Sequence, residues 1–115
     1  MRIIFIFILF LSISFSQWFS VDHNGVTRTY YMSYPENVAE STPLIINMHG
    51  FGGSAEQQQI YSEMDQFAHP ENIAVVYPQG ISSTNGGYNS WNVFTAWDGN
   101  SYDDVEFISM MIDNI

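Results

Sequence analysis

The sequence has 115 residues, with twelve Asp and Glu against two Lys and Arg, three His and no Cys. A net charge of −10 makes a surface that repels phosphate backbones, which argues against nucleic acid as a partner. The absence of Cys excludes a disulfide framework and a thiolate metal site, and 17% aromatic residues argue against a disordered chain.

Met1 and Arg2 precede an unbroken apolar run from Ile3 to Leu11, and Ser12 to Ser16 then tapers into small residues. Ser14-Phe15-Ser16 stands where an A-x-A-like cleavage site belongs. This is the layout of a secretory signal peptide over residues 1–16, cut near Ser16-Gln17, and it predicts a secreted, extracellular protein. An uncleaved anchor is the alternative, but the run is short of the roughly 20 residues that cross a bilayer. No stable membrane insertion is therefore expected after cleavage. Residues 17–115 keep Arg28 as their single Lys or Arg.

Trp18 to Asp22 and Val26 to Tyr34 read as two strands joined by "DHNG", whose Asn24-Gly25 pair is a strong hairpin signal. Val26, Tyr30, Met32 and Tyr34 share one face of the second strand, and Arg28 falls on that face, where a strand-edge ion pair is expected. Leu44 to Met48 suits a strand covered on both faces. The run "NMHGFGGS", Asn47 to Ser54, follows, with glycines that permit positive φ and a close approach of backbone to another strand, a phosphate or a developing negative charge. Ser54 with Gln57 three residues on has capping-box spacing. Ile60, Met64, Phe67 and Ala68 then recur as a helical core stripe, ended by His69-Pro70. Ile73 to Tyr77 is a further buried-type strand, stopped by Pro78.

A strand–helix–strand unit of this length implies a parallel pair, hence an α/β sheet with flanking helices. Gln79 to Tyr102 is a long Gly/Asn/Ser-rich stretch carrying Trp91, Phe94 and Trp97, of a kind that is usually functional or disordered. Asp103 to Ile115 is helical again, with Val105, Phe107, Ile108, Met111, Ile112 and Ile115 apolar. Asp103 and Asp104 suit the positive end of its dipole and tie the loop down. Asp98 and Asn100 match the start of a calcium loop, but Tyr102 and Asp103 occupy its fifth and sixth places, so no metal is expected. The final helix reaches the last residue with no cap, which reads as the front part of a longer chain.

Five stretches, "RTYYMSYP", "PLIINMHGFGGS", "IAVVYPQG", "SWN" and "DDVEFI", resemble in order and spacing the N-terminal half of secreted α/β-hydrolase esterases. The closest likeness is to the polyhydroxybutyrate depolymerase and feruloyl or acetylxylan esterase group, and it covers Arg28 to about Ile112. The resemblance implies the N-terminal part of an α/β-hydrolase fold, an antiparallel hairpin leading into a parallel sheet, incomplete and truncated before the nucleophile elbow. It implies a carboxylic ester hydrolase with a serine nucleophile, acting on polyester or on feruloyl or acetyl esters of polysaccharides, without a cofactor. By the same resemblance Gly50 and Phe51 belong to the oxyanion hole, with the Phe51 N–H the donor and Gly50 shaping its approach. His49, Gly52, Gly53 and Ser54 support that loop, and the catalytic Ser, Asp and His lie beyond Ile115.

Ser54 fails as a nucleophile because Gly52-Gly53-Ser54-Ala55-Glu56 lacks the last Gly of G-x-S-x-G; a helix N-cap fits better. His49 is expected to be structural rather than a general base, and His23 and His69 to face solvent. Trp91-Asn92 matches the family's "WN"; it either walls a substrate site or packs the loop onto the sheet. The alternatives are a non-catalytic carbohydrate-binding or adhesive domain and a serine peptidase of the same fold. The isolated fragment is expected to be inactive. N-terminal sequencing of secreted material should begin at or near Gln17, and a chain keeping Met1 in the membrane fraction would contradict the leader.

Overall fold

A computed structural model describes residues 15–82, 87–93 and 101–115. Most of the leader, Phe94, Trp97, Asp98 and Asn100 lie outside the described residues. Strand β1, Phe15–His23, pairs antiparallel with β2, Val26–Tyr34, so the hairpin strand begins two residues before the expected cleavage point. Asn24 and Gly25 both take positive φ, 53° and 77°. That is the turn whose twist matches the flanking strands, and the reason an Asn-Gly pair sits there.

Strand β3, Leu44–Ile46, is followed by helix α1, Ala55–Ser62, helix α2, Met64–Ala68, a 3-10 turn, His69–Glu71, and strand β4, Ala74–Pro78. After the long loop comes helix α3, Asp104–Asn114. The four strands form one mixed sheet in the order β1-β2-β4-β3, with β3 and β4 parallel and β2 and β4 antiparallel. All five residues of β4 are buried. They alternate between two cores, as strand geometry requires. Ala74 and Val76 pack with Tyr30, Met32, Phe107 and Met111 beneath α3, whereas Val75 and Tyr77 pack with Ala55 and Ala68 beneath α1 and α2. Helices therefore cover both faces of the sheet, an α/β arrangement.

Helix α3 has 11 residues, fewer than the roughly 12–15 at which a helix holds alone in water. Its stability comes from packing: Phe107 and Met111 are fully buried, and each such side chain contributes about 1.5–3 kcal/mol. Asp103 caps it by accepting from Glu106 N at 2.9 Å.

Several expectations are corrected. Strand β3 stops at Ile46 and lies at the sheet edge among the described strands, so Ile46 and Met48 are exposed rather than covered on both faces. The helical stripe from Ile60 to Ala68 is broken, because Glu63 adopts the left-handed conformation, φ 49°. That residue shifts the phase of the helix, so Ala55, Met64 and Ala68 face the sheet while Ile60 and Phe67 are each 67% exposed. Arg28 does pair with an acid, but deep in the fold instead of at a strand edge: its Nη2 donates to Asp104 Oδ1 at 2.6 Å, and its guanidinium lies 4.1 Å from the Phe107 ring centroid. His23 is buried too, with Nε2 2.9 Å from Glu106 Oε2, and His69 Nε2 is 3.3 Å from Ser33 Oγ.

The break at Glu63 brings Asp65 under the sheet. Its carboxylate accepts from Tyr77 Oη at 2.6 Å, Ser33 Oγ at 2.7 Å and Gln59 Nε2 at 2.9 Å. Burial, then the hydrogen bond to Asp65 and its charge, hold the Tyr77 phenol well above the usual tyrosine value. A raised folded-state pKa stabilises the fold below the unfolded value, near pH 10, and that contribution is lost as pH climbs toward the folded value. Alkaline denaturation should therefore be less steep in Tyr77→Phe than in the parent, measured by circular dichroism between pH 9 and 12 (an approximate range). For the other buried link, Asp104→Ala should lower stability by about 3–5 kcal/mol, read from urea unfolding, because it strands a buried guanidinium.

Candidate active site

The turn after β3 is built from both sides. Asn47 N donates to Val76 O at 2.9 Å, holding the chain to β4 one residue past β3. The Asn47 side chain donates to Ser62 Oγ and accepts from Gln58 Nε2, at 2.9 and 2.8 Å, which ties the strand end to α1. Gly52 then reverses the chain at φ 77°. A Cβ on Gly53 would lie 3.1 Å from Gly50 O and 3.2 Å from His49 Cβ, so a larger residue would crowd the closed turn. Ser54 Oγ accepts from Gln57 N at 3.1 Å and caps α1; the next free amide, Ala55 N, donates to Gln79 Oε1 at 3.0 Å. With its oxygen on the cap, Ser54 is placed as a helix start and not as a nucleophile.

His49 is buried beneath this turn. Its Nδ1 is 2.7 Å from Gly50 O, an acceptor, and its Nε2 is 2.9 Å from Gly80 N, a donor. Those partners assign the neutral tautomer that carries its proton on Nδ1. Both ring nitrogens are taken, so none is left to accept a proton from a nucleophile. The His49 carbonyl accepts from Trp91 Nε1 at 2.8 Å, with the rings 5.1 Å apart. Gly80 seals the other side: a Cβ there would be 2.7 Å from Ser90 O and 3.0 Å from the His49 ring.

The accounting of backbone donors then separates the residues of the turn. Gly53 N donates to Gly50 O at 3.0 Å and Gly52 N to Asn89 O at 2.8 Å. The N–H groups of Gly50 and Phe51 have no acceptor among the described residues. The Phe51 side chain is 63% exposed and meets Tyr88 with ring centroids 5.5 Å apart. Two open amides are thus followed directly by two anchored ones at the carboxyl end of a parallel strand, where α/β sheets place their ligands. Open backbone donors on a braced turn are suited to an oxygen that gains negative charge.

Trp91 is packed against the core as well as the turn, and its indole N–H is spent on His49. Asn92 lies at the foot of α3, where its N donates to Asp104 Oδ2 at 2.6 Å and its Nδ2 to Tyr102 O at 3.0 Å. Gln79, Gly80 and Asn89 brace the turn without having been singled out by the sequence. Gln79 Nε2 donates to Gly80 O at 2.7 Å and Asn89 Nδ2 to Gly53 O at 3.0 Å. Only "PQG" and "NSWN" could have hinted at them, through polar residues set between strand and glycine.

One Ser, His and Asp do meet elsewhere, at Ser33, His69 and Asp65. The connectivity is wrong for acyl transfer: Asp65 accepts the hydrogen bond of Ser33 Oγ directly instead of orienting the imidazole, and Ser33 is fully buried. Among the described residues no three His, Cys, Asp or Glu side chains converge to hold a metal ion.

No family model matches the chain. It is 26% identical over 91 residues to the bifunctional acetylxylan esterase/xylanase XynS20E of Neocallimastix patriciarum, an alignment covering 79% of this chain and 12% of that protein. The crystal structure of native pOPH superposes with a TM-score of 0.56 at 16% identity, over 83% of this chain and 36% of that one. The chain shares that fold, and it spans only a minor part of the length of either protein.

Because Gly80 packs against backbone and a buried ring, Gly80→Ala should cost about 1–3 kcal/mol. Gly50→Ala meets open space, so its stability from urea unfolding should stay within about 0.5 kcal/mol of the parent. Equal effects of the two would contradict the packing described for the turn.

Proposed function

We propose that the chain is the oxyanion-loop portion of a secreted carboxylic ester hydrolase working through a serine nucleophile. The observation that carries this reading is the pair of amides of Gly50 and Phe51, without an acceptor among the described residues, on a turn that Gly52 N and Gly53 N anchor immediately after them. Similarity to an acetylxylan esterase supports ester hydrolysis as the chemistry, and it puts acetyl esters of polysaccharides ahead of feruloyl esters and polyesters as substrates. Export through a leader over residues 1–16 is part of the same proposal, because polymeric substrates of this kind lie outside the cell.

In the mechanism, a serine oxygen attacks the ester carbonyl while a histidine takes its proton. The carbonyl oxygen becomes negative in the tetrahedral intermediate, and the Phe51 N–H donates to it from a fixed position. Collapse expels the alcohol, and water then repeats the sequence on the acyl-enzyme. His49 has no free nitrogen and Ser54 is a cap, so this reading assigns nucleophile, acid and base to residues following Ile115. The same constellation would serve a peptidase. A carbohydrate-binding role is the second reading, favoured by the exposed Phe51 and Tyr88 rings, which could stack on a sugar.

The test uses the backbone rather than a side chain. Phe51→Leu keeps the N–H and should change kcat on an acetyl ester only modestly. Phe51→Pro removes the donor and should lower kcat about 100- to 1,000-fold, with some further loss from backbone strain. Comparable activity of the two variants would sink the oxyanion assignment, and a full chain that binds acetylated xylan without deacetylating it would favour the binding module.

A further inference from the structure

Two large aromatic side chains stand in solvent at the turn, and neither core accounts for them. Phe51 is 63% and Tyr88 69% exposed, and neither packs into the two apolar clusters of the fold. Their ring centroids are 5.5 Å apart with the planes tilted by 55°, a favourable aromatic geometry. Trp91, three residues further along the loop, does the opposite. It packs against the core and spends its indole N–H on His49 O.

The place of Tyr88 is built. Its neighbour Asn89 accepts from Gly52 N at 2.8 Å and donates through Nδ2 to Gly53 O at 3.0 Å, so two hydrogen bonds fasten the loop to the turn at this point. The Tyr88 ring lies beside Gly52, where a Cβ would be 3.7 Å from its Cδ1. Ordering a loop residue costs backbone entropy, and here the ordered residue carries a ring that buries little of itself. Large, stiff aromatic area of this kind is what recognition surfaces use, because little side-chain freedom is left to lose on binding.

Covalent geometry sets this aromatic corner beside the open amides. An oxygen that accepts from Phe51 N–H sits about 2.9 Å from the nitrogen, and Phe51 Cβ is two bonds from the same atom. Whatever carries that oxygen therefore has the Phe51 side chain among its nearest neighbours. An acetyl group ends one methyl beyond its carbonyl, so a ring that meets the corner comes from the alcohol half of the ester. The corner offers it apolar ring faces and no cation: Arg28, the single Lys or Arg of residues 17–115, is buried and paired with Asp104. A chain at −10 also repels an anionic ligand. The C–H face of an uncharged pyranose is apolar and slightly positive, which complements the negative face of an aromatic ring. We propose that Phe51 and Tyr88 form the platform on which a neutral sugar ring of the alcohol half stacks, so that Tyr88 is a specificity-determining residue of the hydrolase and not part of a separate binding module. This rests on the ester-hydrolase reading for the place of the sugar in the reaction, though not for the affinity of the rings for it.

The experiment is a titration of the 15N-labelled full chain with xylohexaose, and separately with methyl ferulate, whose ring belongs to the acyl half. Xylohexaose should shift the Phe51, Gly52 and Tyr88 amides saturably. Tyr88→Ala should weaken its binding about tenfold, whereas Tyr88→Phe, which keeps the ring, should bind within about twofold of the parent. Phe51→Leu, which keeps the amide, should also weaken it. The unfolding midpoint of Tyr88→Ala in urea should match the parent's, because Asn89 holds the loop. Absence of saturable shifts, shifts with methyl ferulate alone, or unchanged affinity in Tyr88→Ala would each overturn the platform. Because the titration involves no chemical step, a chain that binds xylohexaose through Tyr88 but deacetylates no acetylated xylan refutes the ester reading alone. One that deacetylates acetylated xylan with the same KM in Tyr88→Ala as in the parent refutes the platform alone.

Discussion

The hydrogen bond from Gly80 N to His49 Nε2 joins the end of β4 to the turn that follows β3, and most of the candidate site is organised around it. It fixes the imidazole tautomer, which in turn directs Nδ1–H onto Gly50 O. Gly50 O also receives Gly53 N, so the turn is closed from inside by one carbonyl. The bond forms only because neither partner is obstructed: Gly80 has no Cβ to collide with the ring, and Trp91 roofs the His49 carbonyl from the loop. A hydrogen bond in such an enclosed place is stronger than one in water, and more damaging when half of it is lost.

A second buried link secures the other end of the loop. Asp104 accepts from Arg28 of β2 and from the Asn92 backbone, so one carboxylate joins sheet, loop and α3. Pairs of this kind contribute less to net stability than their geometry suggests, since both charges are desolvated. The geometric effect of this one is to fix where the start of α3 meets the sheet, since Asp104 reaches Arg28 and the Asn92 backbone at once. The Asp65 cluster does the same for α2 on the opposite face, with Tyr77 and Ser33 as its partners.

Local chemistry was legible in the sequence, and phase was not. The Asn24-Gly25 hairpin, the buried β4 and the Ser54 cap each depend on a few neighbouring residues, and the parallel pair follows from the order of elements. The stripe Ile60-Met64-Phe67 was misread because a periodic pattern assumes an unbroken helix, and nothing near Glu63 announces a left-handed residue. Just beyond it, Asp65 bonds to Tyr77 and Ser33, which are 12 and 32 residues away and so invisible to a local pattern. Arg28 and His23 were expected outside for the same reason: their partners, Asp104 and Glu106, are 76 and 83 residues distant. In the candidate site, the glycines of the turn could be read from their spacing. Gln79, Gly80 and Asn89 could not, since a brace is defined by what it touches and not by its own residue type.

The exposure of the Phe51 side chain has an evolutionary consequence. Its backbone amide is held by the turn, so nineteen of the twenty residue types would present the same N–H at this position, and only proline would remove it. The side chain, meanwhile, stands in solvent against Tyr88 with no part in closing the turn. Selection acting on what lies in front of the turn can therefore exchange this side chain freely, while the donor behind it passes unchanged from one descendant to the next.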